Sequence, residues 1–155
     1  MSRLEDRYMG KLIDGEISND IAGLYTDSRD NRQKLIEYAN DNDLTIRRAA
    51  VNELFVDLDT EEQYTLFKDQ LEVLQQVVEV VKVEVTPSKS GLPARHAVVT
   101  IRCPRTKNPP DGTPTMMERL ALQAMLGSDR RCEILRYVRY HFNDPDAVIF
   151  LEKKQ

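Results

Sequence analysis

The sequence predicts an α+β protein in which an acidic, all-helical N-terminal lobe, residues 1–76, packs on a ββααβ C-terminal lobe, residues 77–155. Three observations carry this reading. Apolar residues recur at helical spacing through the first half, the period switches to two near residue 77, and the charge changes sign at about the same place. Residues 1–80 hold 9 Lys and Arg against 18 Asp and Glu, a net charge of −9, while residues 81–155 hold 13 against 8, a net of +5.

Residues 4–13 and 17–25 are expected as two short helices, interrupted by Gly15 and Asn19. A third helix is expected over 30–40 from Leu35, Ile36 and Ala39. Asp43 then caps a fourth, in which Ile46, Ala49, Ala50, Leu54 and Phe55 recur at the three-four interval. The stretch 35–54, with the acidic turn Asp41-Asn42-Asp43 and the pattern Arg47-x-x-Ala50-x-x-x-Leu54, resembles one HEAT-type helical repeat. The resemblance implies an antiparallel helix pair over about 30–57. A second copy in register is absent, and a solenoid needs about three to bury a continuous core.

Between 60 and 85 two patterns compete. Tyr64, Phe67, Leu71, Leu74, Val78, Val81 and Val85 follow a heptad, which would make 64–85 a coiled coil and a route to a homodimer. The β-branched run 77–85 disfavours helix, so a helix to Gln76 followed by a strand is the expectation. From Val81 the alternation is strict. A second strand places Ala97, Val99, Ile101 and Cys103 on a dry face and His96, Val98, Thr100 and Arg102 on a mostly polar one. Pro104, Asn108-Pro109-Pro110 and Asp111-Gly112 end this hairpin.

Thr115 and Glu118 form a capping box that opens a helix running to Leu126, apolar nearly all round. Gly127 stops it, and Ser128-Asp129 starts a helix over 129–142. The segment 147–151 is apolar on both faces and reads as a strand.

Composition excludes several classes. With 41% hydrophobic and 31% charged residues the chain is globular, and no run approaches the roughly 18–20 apolar residues of a membrane span. The first residues carry no apolar signal core. The two cysteines, Cys103 and Cys132, suit reduced thiols, so a cytoplasmic protein with no membrane partner is expected.

No Walker loop, GxGxxG, GxSxG or HExxH pattern occurs. The expected function is therefore a non-enzymatic binding or adaptor protein, with no metal, no cofactor and no catalytic residue, whose basic lobe contacts an anionic partner, nucleic acid first. On the helix 129–142, Ile134, Leu135, Val138 and Phe142 form one stripe. Arg136, Arg139 and Tyr140 project from the other side, with Arg130 and Arg131 at the N-terminal end. Arg95, Arg102, Arg105 and Lys107 form a second basic cluster on the hairpin and its exit.

Two alternatives stand beside this. One is a protein-interaction module or inhibitor, as in viral accessory proteins, engaging a basic partner through Asp57, Asp59, Glu61 and Glu62. The other is a small enzyme acting on a phosphorylated substrate through Arg95, His96 and Arg102. The carboxylates near Asp57 are read here as helix caps and first-turn acids rather than as metal ligands.

Overall fold

A computed structural model of the chain describes residues 28–103, 112–141 and 147–154. The expected helices at 4–13 and 17–25 lie outside the described residues, as do Arg105 and Lys107. The protein is mixed α+β, with four helices and two small antiparallel sheets among those residues. In chain order the elements are α1 (Ser28–Asp41), β1 (Leu44–Arg48), β2 (Glu53–Leu58), α2 (Glu61–Leu74), β3 (Glu79–Pro87), β4 (Arg95–Arg102), α3 (Met116–Met125), α4 (Arg130–His141) and β5 (Ile149–Lys153).

The HEAT-like pair is not formed. Helix α1 occupies its first half, but residues 44–58 are the strands β1 and β2. The reason is burial on two sides: Leu54, Phe55, Val56 and Leu58 are all fully enclosed, which a one-sided helix stripe cannot satisfy and a central-type strand can. The coiled coil over 64–85 is likewise not formed, because α2 ends at Leu74 and β3 begins at Glu79. From β3 onward the order strand, strand, helix, helix, strand follows the expectation.

The larger sheet has the order β2-β4-β3, and β4 pairs antiparallel with both neighbours. Leu54, Val56 and Leu58 of β2 join Ala97, Val99 and Ile101 of β4 on one face, closed by Phe67 and Leu74 of α2. The opposite face carries Phe55 and Val98 and is closed by Phe150 of the small β1-β5 sheet and by Val148 just before β5. His96 and Val98 were expected on a polar face; both are buried, because β5 covers that side.

The free edge of β2 is satisfied residue by residue from α3, α4 and the turn between them. Arg119 Nε donates to the carbonyl of Glu53 at 3.3 Å, and the amide of Phe55 donates to Gln123 Oε1 at 2.9 Å. Arg136 Nη1 donates to the carbonyl of Phe55 at 2.6 Å, and the amide of Asp57 donates to Ser128 Oγ at 2.9 Å. The carbonyl of Asp57 accepts from the amide of Asp129 at 2.7 Å. Residues 53, 55 and 57 are the alternate positions that point away from β4, so side chains replace a missing strand.

Arg136, expected on the solvent face of its helix, is thus 0% exposed. It also pairs with Glu133 at 2.5 Å and reaches the carbonyl of Ile149 at 3.4 Å. Gln123 Nε2 donates to Glu133 at 3.2 Å and joins the same buried network.

Candidate functional site

Asp57, near the end of β2, sits opposite His96 of β4 in the ladder. Asp59 follows two residues later in the loop before α2. There the Thr60 and Gln63 capping box starts the helix, with the amide of Asp59 donating to Gln63 Oε1 at 2.6 Å. The caps of α2 are therefore Thr60 and Gln63, which leaves Asp57 and Asp59 free of the capping role expected for them.

Asp129 arrives from the other side of the fold. Helix α3 ends in a Schellman turn: the Ser128 amide donates to the Gln123 carbonyl at 3.1 Å and the Gly127 amide to Ala124 at 3.0 Å, with Gly127 at φ 87°. That left-handed residue turns the chain so that Asp129 caps α4, accepting from the amides of Arg131 and Cys132 at 3.1 and 3.3 Å.

The result is a group of three carboxylates, Asp57, Asp59 and Asp129, whose oxygens lie within 4.8 Å of one another. They line a cleft of about 350 Å³ together with His96, Cys132, Phe150, Ser88, Lys89, Arg131 and Arg139. Three carboxylates and three cationic side chains, Lys89, Arg131 and Arg139, therefore share its lining.

Burial first, then the neighbouring Asp59 charge, pushes the Asp57 carboxyl up to about 6; Arg136 opposes this and Asp129 adds to it. Asp59 is also raised, by burial, by the Asp129 charge and by a hydrogen bond with Asp129, while Arg131 pulls the other way. Burial, with Arg136 and Lys89 nearby, lowers His96 to about 4. The 3.7 Å approach of His96 Nε2 to Asp57 Oδ1 is accordingly not an ion pair at neutral pH, since the imidazole is uncharged there. Phe150 holds that ring flat, stacked at 3.8 Å between centroids and 3° between planes.

Burial raises the Cys132 thiol to about 12, so it is not a nucleophile at neutral pH. It serves Asp57 as a hydrogen-bond donor.

The basic residues singled out from the sequence do not share one groove. Arg95 pairs with Glu61 at 2.8 Å and lies over the Tyr64 ring, 4.0 Å from its centroid. Arg102 meets Glu79 at 3.5 Å at the other end of β4. Arg136 is enclosed, Arg130 and Tyr140 are exposed, and only Arg131 and Arg139 reach the cleft. Of the trio Arg95, His96 and Arg102, only His96 enters it. Glu61 and Glu62 are exposed on α2 and stand apart from Asp57 and Asp59.

The site residues that sequence reasoning did not assemble are Asp129 and Lys89. Asp129 appeared only as a helix start, and Lys89 was not among the basic residues singled out. The readable signal was Asp57-Leu58-Asp59 at the end of a buried apolar run, a place where a strand delivers side chains to a cleft. No protein-family model, no curated protein and no solved structure matches the chain. No helix among the described residues is long and apolar enough to cross a membrane.

Proposed function

We propose that the cleft binds a divalent cation and acts on a phosphate ester, by transfer or hydrolysis at phosphorus. The observation that carries this reading is the convergence of Asp57, Asp59 and Asp129 within 4.8 Å in a cleft that Lys89, Arg131 and Arg139 also line. Hard cations such as Mg²⁺ and Mn²⁺ take oxygen ligands, and Mg²⁺ typically joins one or two carboxylates to substrate phosphate.

Burial first, and then the mutual repulsion of carboxyls held this close, makes Asp57 and Asp59 resist ionising. Asp57, Asp59 and Asp129 would hold a dication, which would favour their ionised forms and would supply a Lewis acid to a phosphoryl oxygen. Arg131, Arg139 and Lys89 hold the remaining phosphate oxygens and offset charge that grows during the reaction. Neutral His96, stacked on Phe150, keeps its Nε2 3.7 Å from Asp57 Oδ1.

The adaptor reading, in which a basic helix face grips nucleic acid, keeps Arg130, Arg131, Arg139 and Tyr140 but loses Arg136 to the interior. A nucleic-acid backbone remains one source of the phosphate ester, and a nucleotide is another. The test is a phosphate-ester panel, with bis(p-nitrophenyl) phosphate, nucleotides and single-stranded DNA, assayed with Mg²⁺ or Mn²⁺ and with EDTA. Turnover that requires the cation and falls about 100-fold or more in Asp59→Asn supports the reading. Turnover indifferent to EDTA, or absent throughout while DNA binds, returns the protein to the adaptor class.

A further inference from the structure

The two edges of the larger sheet are treated differently. That of β2 is closed by side chains of α3 and α4, whereas the outer edge of β3 has no backbone partner among the described residues. Val81, Val83 and Val85 on this strand are 55%, 37% and 36% exposed. An uncovered edge strand is a template for pairing with another chain.

The order of residues on β3 specifies what would pair there. Read antiparallel to itself about Val83, the strand sets Lys82 opposite Glu84, Val81 opposite Val85 and Val83 opposite its own copy. Opposite charges and β-branched pairs directly across an antiparallel ladder are favourable. A self-complementary patch of this kind is what a two-fold contact requires, because each residue meets its partner twice.

Lys82 and Glu84 lie 2.6 Å apart within one chain on one face of the strand, where Glu84 also meets Arg47 at 3.4 Å, and a two-fold contact would exchange the Lys82–Glu84 pair between copies. The register shift between Val80 and Lys82, which makes Val81 the extra residue, and Pro87 at the far end bound the regular stretch at 82–86. They confine pairing to the symmetric segment.

We propose that two copies of the chain join edge to edge through β3, antiparallel about Val83, into a continuous six-stranded sheet. The contact replaces the coiled coil over 64–85 as the route to a homodimer, and it does not depend on the chemistry of the cleft.

The test uses the full chain in sedimentation velocity across a concentration series. The wild-type protein is expected to be a dimer, and Lys82→Glu and Glu84→Lys alone each to weaken dimerisation by about tenfold, since like charges then face each other. An equimolar mixture of the two variants should recover the dimer, because the carboxylate introduced in one variant meets the ammonium introduced in the other. Val83→Lys, which places like charges on the two-fold axis, provides a second disrupting variant, with circular dichroism confirming that each protein is folded. A monomeric wild type overturns the proposal. So does a dimer untouched by the substitutions, or a mixture that stays monomeric.

Discussion

The amide of Asp129 donates to the carbonyl of Asp57 at 2.7 Å, and the side chains of the same two residues converge in the cleft. One backbone bond thus joins the edge of β2 to the start of α4 and sets the separation of two carboxylates that are far apart in the sequence. Ser128, bonded to the Asp57 amide at 2.9 Å, doubles the clamp. The expectations below follow from that junction and from the buried network behind it.

Asp57→Asn should stabilise the protein at pH 7 in the absence of divalent cations. The Asp57 carboxyl rises from 3.8 to about 6 on folding, so its ionised form is disfavoured in the native state. Stability from this group is full below about pH 4 and is lost as pH rises through 6. Asn removes the loss, worth about 1–3 kcal/mol, and thermal melts at pH 7 should show a higher Tm that converges on wild type near pH 4.

His96 titrates with the opposite sign. Its folded value of about 4 lies below the ordinary 6.5, so the unfolded chain binds more protons between those limits and stability rises with pH there. The two groups oppose one another across nearly the same window, and the wild-type curve between pH 4 and 6.5 should be flattened. Denaturant melts of Asp57→Asn should reveal a rising slope in that range, and those of His96→Gln a falling one.

Arg136→Met should destabilise the fold by about 3–5 kcal/mol, because it strands Glu133 and the carbonyls of Phe55 and Ile149 in the interior. Arg139→Ala should change stability by only about 0.5 kcal/mol. Urea unfolding of the pair separates a structural arginine from a ligand-facing one on the same helix.

Gly127→Ala should cost about 1–2 kcal/mol from backbone strain at φ 87° alone. A Cβ there would meet Leu66 Cδ2 at an ordinary 3.5 Å, so sterics add little. Since this turn aims Asp129, cation affinity measured by calorimetry should fall as well.

Local chemistry was legible in the sequence where a few adjacent residues decide the outcome. The Thr115 and Glu118 capping box, the Gly127 stop and the β3-β4 hairpin are all present. Residues 44–58 were misleading because Ile46, Ala49, Ala50 and Leu54 imitate a helix stripe, whereas pairing with β4 and β5, distant in sequence, decides for strand. An arginine that caps a strand edge from inside, as Arg136 does, carries the same letter as one in solvent. The cleft was invisible for a similar reason: its third carboxylate reaches the other two only through the tertiary clamp on β2.

The most direct test of a cation-binding cleft is Mn²⁺ titration at pH 6, followed by electron paramagnetic resonance and by proton release. Saturable binding that frees protons from the carboxyls and is lost in Asp59→Asn, whose exposed side chain can be changed without unfolding the protein, is the expected result. Mn²⁺ that stays free up to millimolar concentrations, or that binds Asp59→Asn as tightly as wild type, would contradict the account.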